Sequence, residues 1–381
     1  VSGPFAGALL AWFGARVIKV EPPGGDPVRD WRVVEDGSSL WWRSLGRNKE
    51  CVSLDLRREE GRALAFELAC RVDVVIENFR PGTLERWGLG PERLKERNPG
   101  LVLCRISGFG QDGPYAPRPG FASICEAIGG LRYVDGFPDR APTRANLSLG
   151  DSLAGLHAAL GVVLSLYHRD RPGGSGQGQP VDTAIYEAVF NMMEAVLPEY
   201  DRAGVVRERT GGRLNGVVPS NAYACADGEH VVIGGNGDSI FRRLMRAAGR
   251  PDLADDPRLA TNAGRVAREP EIDAALAAWT ATLPAREVAA RLEAADVPVG
   301  RPYSAKDIAE DPHYAARGMF EEVEVGGRPL RLPAMAPKLG ATPGRTEWAG
   351  PERGAHTRAV LREELGLGDG ELEALAAAGV I

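Results

Sequence analysis

Along the first hundred residues, short β-branched runs alternate with segments whose apolar positions recur every three or four residues. "GPFAGALLAWFGA" reads as a helix entered through Gly3 and Pro4, and "RVIKVE" (16–21) as the strand after it. "CVSLDL" alternates as a strand does, and "RREEGRALAFELACR" then takes a helical period. "VDVVIENF" is another buried strand, closed by a turn at Pro81 and Gly82. "LVLCRISGFG" is a further one, and the turn chemistry of "GQDGPY" follows it. Strands spaced by helices in this order predict βαβ units and a parallel sheet.

The stretch "LSLGDSLAGLHAALGVVLSLYHRD" (147–170) is apolar on nearly every side, which predicts a helix buried all round. Its one early carboxylate, Asp151, stands where the pattern turns helical. "RPGGSGQGQ" (171–179) is a glycine-rich loop, and "PVDTAIYEAVFNMMEAVL" resumes with a strand and a helix. From about residue 200 the texture changes. Arg-rich and Gly-rich turns lead into "NAYACADGEHVVIGGNGDSIFRRLM", a hairpin-like pair of strands, a glycine turn and a helix. Helical patterns near 270–281 and 285–295 complete this smaller domain. "MFEEVEVGGRPLRLP" is strand-like again, and two helical patterns end the chain. No repeat of fixed period and no low-complexity tract interrupts it. The predicted class is α/β: a Rossmann-like large domain with a parallel sheet over 1–195 and a smaller α+β domain over 216–300. Segments 196–215 and 301–314 serve as linkers, and 315–381 returns to the large domain.

Composition narrows the partners more than the fold. With 44% hydrophobic and 26% charged residues the chain is an ordinary globular one. A net charge of -6 gives no electrostatic reason to expect nucleic acid or an anionic membrane. Arg29, Arg57, Arg80 and Arg86 still offer a local basic pocket for a polyphosphate. Cys51, Cys70, Cys104, Cys125 and Cys225 are odd in number and lack CxxC spacing, which argues against a disulfide framework or zinc site. The five histidines form no HExxH. No apolar run reaches the roughly 18 uncharged residues of a membrane span, and no basic n-region precedes a cleavable signal. The expected compartment is the cytoplasm. The chain begins at Val1, inside what reads as an element, so sequence ahead of it is expected to be missing.

Several positions carry two readings. Asp151 suits a helix N-terminus because its oxygens accept orphan amide protons and its charge meets the positive end of the dipole; Ser148 offers a variant capping box. The same physics keeps a carboxylate ionised and makes it a competent nucleophile beside a cleft. "ENFRPG" (77–82) sits at the carboxyl end of a predicted parallel strand, where open α/β sheets place ligands. There Asn78 and Arg80 suit a phosphate or polar linker and Phe79 an apolar stretch, although the segment also reads as an ordinary turn. "GPFAG" lacks the G-x-G-x-x-G fingerprint, so its glycines read as close helix packing and Glu21 as the entry to the loop "PPGGDP". "GGNG" (234–237) reads as a strand-to-helix turn or as a lid that brings amides to an anion. His157 lies off the face of Asp151 and reads as a core or interface histidine.

Taken in order, the strings "GPFAGALLAWFGARVIKVEPPGGDPVRDW", "NKECVSLDLRREEG", "VDVVIENFRPG", "ISGFGQDGPY", "GDSLAGLHAALGVVLSLYHRD", "GQGQPVDTAIYEAV", "DVPVGRP" and "DPHYAARGMF" resemble the class III CoA-transferases. This is the CaiB/BaiF group that includes formyl-CoA transferase and carnitine CoA-transferase. The resemblance spans about residues 3–320. It implies Asp151, in "GDSLAG", as the catalytic aspartate. It implies Arg29, Leu54, Arg57, Asn78, Phe79 and Arg86 at positions that hold the nucleotide and pantetheine parts of CoA. Gly234, Gly235, Asn236 and Gly237 match a glycine loop that covers the active site. Members of the group are interlaced, ring-like homodimers, each chain threading a hole in the other, and the linkers around 196–215 and 301–314 would form that ring.

The activity this implies is transfer of CoA from an acyl-CoA donor to a small carboxylic acid, through an aspartyl anhydride and an aspartyl-CoA thioester. CoA thioester is a substrate there, and no metal, nucleoside triphosphate or organic cofactor is needed. "LNGVVPSNAYACADG" with "GGNGDSIFRRLM" looks closest to members that use succinyl-CoA-like donors and dicarboxylic acids, for which Arg144 or Arg213 would pair with the distal carboxylate. Two departures bear on this. The strand usual before "GPF" is absent. Where related α-methylacyl-CoA racemases carry "GHD" this chain has "GFA" (120–122), and Phe121 has no proton to transfer, so transferase ranks above racemase. A CoA-binding protein without activity is the third reading.

Overall fold

The computed structural model describes all 381 residues. By internal packing the chain divides into two units: Val1–Leu131, Ala145–Glu194 and His313–Ile381 form the first, Arg132–Arg144 and Ala195–Pro312 the second.

The first unit opens with α1 (Ser2–Trp12), where Pro4 lies in the first turn and its missing N–H breaks no helical bond. β1 (Val17–Glu21) then pairs in parallel with β2 (Lys49–Ser53), Val17 opposite Lys49. After α2 (Glu59–Ala69) come β3 (Val74–Glu77) and β4 (Val102–Ser107); β5 (Pro180–Ala184) completes a parallel triplet in the order β3-β4-β5. The parallel strands thus make two ladders, a pair and a triplet, rather than one continuous sheet. Every residue of β4 is buried, as a central parallel strand covered on both faces requires.

Between β4 and β5 lie α3 (Ala122–Ile128) and the long α4 (Leu149–Asp170); α5 (Ile185–Phe190) follows β5. α4 packs against α1, β4, β5, α3 and α5. Its approach to α1 depends on Gly155, where an added Cβ would lie 2.7 Å from the Ser2 carbonyl and 2.9 Å from the Phe5 ring. Ala154, Ala158, Ala159 and Val162 continue the buried face. The opposite face corrects the expectation of burial all round. Leu156, Leu160, Val163, Leu164 and Tyr167 are exposed, and their spacing of four, three, one and three residues makes them one stripe. Contrary to the expectation from the sequence, α4 is long and apolar enough to cross a membrane; core packing accounts for one of its apolar faces, and the other is this stripe.

The second unit carries β6 (Ser220–Ala224), β7 (His230–Gly234) and β8 (Val299–Gly300) as an antiparallel sheet in the order β8-β7-β6. α6 (Asp238–Ala247), α7 (Glu269–Thr280) and α8 (Ala285–Ala294) pack with it around Tyr223, Ile233, Phe241, Leu244 and Leu276. Residues 132–144 join this unit, with Gly211 donating to the Gly136 carbonyl at 2.9 Å.

Back in the first unit, β9 (Phe320–Val325) and β10 (Arg328–Pro333) form a hairpin. Its two-residue turn, Gly326-Gly327, has φ of 57° and 73°, which the primed hairpin turns require and glycine supplies. α9 (Thr357–Leu365) and α10 (Asp369–Ala377) bury Val360, Leu361 and Leu372 against Val52, Leu54 and Leu68.

Candidate active site

α4 starts at Leu149, so Asp151 is the third residue of its first turn, and it is partly buried. Ser148 occupies the N-cap position, but its side chain makes no capping bond, so the expected variant capping box does not form. Glu126 of α3 satisfies an orphan amide instead: its Oε1 accepts the Gly150 N–H at 3.1 Å. Gly150 admits this approach because an added Cβ would sit 3.1 Å from Glu126 Cγ and 3.3 Å from Ile185 Cγ2. Burial pushes the adjacent Cys125 thiol up to about 11, and the negative charges of Asp151 and Glu126 push the same way. Cys125 therefore stays protonated at neutral pH, its Sγ donating to the Gly108 carbonyl, and Asp151 is the better nucleophile candidate. His157 holds a local role: Nδ1 donates to the Leu153 carbonyl at 2.8 Å and Nε2 accepts from Asn191. Beside the first turns of α4 a cavity of about 490 Å³ is lined by Phe5, Leu9, Trp41, Ser152, Leu153 and Leu156.

At the carboxyl end of β3, Glu77 is buried and accepts from Arg105 Nε at 2.8 Å and from the Phe79 N–H at 2.7 Å. Burial pushes the Glu77 carboxyl up, with Arg105 pulling against it. Arg105 also bonds Glu85 at 2.7 Å, so one guanidinium ties the strand end to the short helix Thr83–Arg86. On this support Asn78, Phe79, Arg80 and Arg86 are exposed. Phe79 lies edge-on to Trp87, with ring centres 5.1 Å apart. Arg86 bonds Thr83 at 2.9 Å. Asn78 lies against Gly3 at the start of α1.

The remaining predicted positions are distributed differently. Arg29 is buried, with two bonds to Glu21 at 2.7 and 2.9 Å, one to the Pro351 carbonyl, and its guanidinium 3.9 Å from the centre of the Trp42 ring. In this arrangement it fastens the loop after β1 and does not share the surface with Arg57, Arg80 and Arg86. Glu21, at the entry to that loop, is its partner. Leu54 is fully buried between β2 and α9, and its N–H bonds the Glu21 carbonyl. Arg57 is exposed and bonds both oxygens of Asp55, whose carboxyl it holds down at about 2.

In the second unit, the Gly234 N–H donates to the Pro298 carbonyl and the Gly235 N–H to the Pro219 carbonyl. Arg265, fully buried, donates to the Asn236 carbonyl at 2.7 Å and to Asp238 at 2.8 Å. Gly237 is the N-cap residue of α6. Gly235 is required by space: an added Cβ would stand 2.4 Å from Leu244 Cδ2. Arg213 pairs with Glu269 at 3.2 Å, and Arg144 is exposed.

The sequence pattern did not single out several buried charges, among them Lys49, Arg105, Glu126 and Arg265. Lys49 Nζ donates to the Pro4 carbonyl at 2.5 Å, and burial pulls its ammonium down to about 7. The available signal was a charge inside an apolar pattern. Lys49, Cys51 and Ser53 share one face of a strand by alternation, and Arg105 interrupts "LVLCRIS".

The model of CoA-transferase family III matches residues 1–357. The chain is 50% identical to the succinyl-CoA–D-citramalate CoA-transferase of Chloroflexus aurantiacus over 386 residues, covering 100% of this chain and 95% of that one. It is 39% identical to the alpha subunit of succinyl-CoA–L-malate CoA-transferase of the same species, covering 100% and 90%. The crystal structure of a CaiB/BaiF family protein from Brucella suis matches with a TM-score of 0.83 at 32% identity, covering 96% of each chain.

Proposed function

The chain belongs to CoA-transferase family III, and from that premise we propose that it moves CoA from succinyl-CoA to a short hydroxylated dicarboxylic acid of the malate or citramalate type, with Asp151 as the nucleophile. The observation that carries this is the placement of Asp151 in the first turn of a core helix whose next residues, Ser152 and Leu153, line a cavity, in a chain half identical to an enzyme named for succinyl-CoA and D-citramalate.

In the first step an Asp151 oxygen attacks the thioester carbonyl; the C–S bond breaks, CoA leaves as thiolate, and a mixed anhydride remains. The thiolate attacks the aspartyl carbonyl, which releases succinate and leaves an aspartyl-CoA thioester. The acceptor carboxylate then displaces the thiolate to form a second anhydride. Attack of the thiolate on the acceptor's carbonyl gives the new thioester and frees Asp151. Overall one thioester and one free carboxylate are exchanged for another thioester and carboxylate, so the net reaction is close to balanced in energy, with the anhydrides as its high-energy intermediates. Water is the competing nucleophile, and its exclusion is what closure has to achieve.

CoA would lie along the exposed loop, with Asn78 and Phe79 on the pantetheine and Arg86 and Arg57 on phosphate. Leu54 would contribute through its backbone, and Arg29 by holding the loop after β1. The turn Gly234–Gly237 would cover the site, and Arg144 or Arg213 would pair with the acceptor's distal carboxylate. We take 1–195 with 315–381 as the CoA-binding domain and 216–300 as the small domain. A second copy of the chain, interlaced with the first, would cover the apolar stripe of α4; exposed Phe121, Ile124 and Ile128 on and beside α3 add to the surface such a partner would bury.

The test is exchange between succinyl-CoA and a panel of free acids, followed by mass spectrometry, with hydroxylamine trapping of the acyl-enzyme. Products with L-malate or citramalate and a hydroxamate at residue 151 are expected. Undiminished exchange in Asp151→Asn would overturn the assignment.

A further inference from the structure

We propose that Glu126 is a positioning residue for the transfer reaction: by accepting the Gly150 N–H it fixes the first turn of α4 and thereby aims Asp151. This rests on the reading of Asp151 as nucleophile. The first amides of a helix have no acceptor within the helix, and a side chain at the N-cap usually supplies one. Here Ser148 does not, and the acceptor comes from Glu126, 24 residues away on α3. Glu126 is 2% exposed, and a carboxylate so buried is costly unless its oxygens are well placed. A helix N-terminus is a favourable place for it.

The contact is close as well as polar. Gly150 is buried against Glu126, and the space an alanine methyl would need lies only 3.1 Å from Glu126 Cγ, so the carboxylate and the glycine backbone interlock. Gly150 shares a peptide bond with Asp151. Any rotation of the turn is therefore passed to the Asp151 side chain, where a displacement of the order of 1 Å costs about a hundredfold in rate. Asp151 changes its own chemistry through the cycle, from carboxylate to anhydride to thioester, whereas the Glu126 acceptor is retained throughout. The helix end is held by a group that the reaction does not consume.

The experiment compares wild type with Glu126→Gln, Glu126→Leu and Gly150→Ala, and with Asp151→Asn as a separate control. Two readouts are taken: amide hydrogen exchange of the peptide spanning 149–153, and kcat and KM for succinyl-CoA with L-malate or D-citramalate. Glu126→Leu is expected to speed exchange in that peptide and to lower kcat roughly ten- to hundredfold at little change in KM. Glu126→Gln, which keeps an oxygen acceptor, restores most of both. Gly150→Ala, which crowds the carboxylate without removing it, also lowers kcat and serves where the leucine variant does not fold. Unchanged exchange protection in Glu126→Leu, or wild-type kcat in that variant, overturns the proposal. So does a glutamine variant as impaired as leucine. Full activity of Asp151→Asn sinks the nucleophile reading instead, and amide exchange reports on the Glu126 bond whether or not the chosen acids are substrates.

Discussion

The first turn of α4 and the turn Gly234–Gly237 before α6 are both helix entries held by a buried charge from another element, and the two charges are opposite. At α4 a carboxylate, Glu126, accepts an N–H of the helix itself. At the second turn a guanidinium, Arg265, donates to the Asn236, Val218 and Leu259 carbonyls and to Asp238. The difference follows from which groups are orphaned. A helix start offers unpaired N–H groups and a positive dipole end, which suit an anion; a loop leading into a helix offers carbonyls, which suit a multidentate cation. In both turns the critical glycine, Gly150 or Gly235, serves close approach and not a left-handed backbone. Lys49 is a third case, a buried cation on a carbonyl in the first turn of α1.

The comparison predicts that Asp151 in the α4 turn governs chemistry and that Arg265, which holds the second turn, governs stability. Asp151→Ala should lower exchange by about a thousandfold or more, with the unfolding midpoint little changed, measured by acyl-CoA exchange beside thermal melts. Arg265→Met strands several buried acceptors and should destabilise the second unit by roughly 3–5 kcal/mol in denaturant unfolding. An equal stability loss from the two variants would erase the distinction. For Lys49 the sign is set by its folded pKa of about 7, which lies below the unfolded value. From about pH 7 to pH 10.5 the unfolded chain binds a proton that the folded chain does not, so stability rises with pH there, by up to about 1.4 kcal/mol per unit. Lys49→Met should flatten that slope in urea melts across the same window. Gly235→Ala, with its Cβ pressed on Leu244, should cost about 1–3 kcal/mol, a penalty that a companion Leu244→Ala change would partly relieve.

Much of the organisation was legible because periodicity is local. The alternation of the main strands and helices in the first hundred residues, the strand character of 319–333 and the helical character of 149–170 follow from spacing and turn residues alone. The environment of α4 was not legible. Its Leu156-to-Tyr167 stripe is as apolar as its buried face, and no pattern along one chain says which of two greasy faces meets that chain's own core. That Arg29 stands apart from the basic group Arg57, Arg80 and Arg86 was not legible either, because its partner Glu21 lies eight residues away across a loop, and neither the pairing nor the cover from Trp42 has a sequence signature.

The linear order of residues was sufficient for the class of fold, the family, and the helix that carries Asp151, since each depends on recurring spacing or contiguous strings. Tertiary structure alone decided that Glu126 holds that helix and that Ser148 does not, that Lys49 and Arg265 point inward, and that the parallel strands part into two ladders. Those outcomes depend on which distant groups share a dry interior. There an unpaired charge or amide costs too much to leave unmatched, and the partner that satisfies it is chosen by packing, not by proximity along the chain.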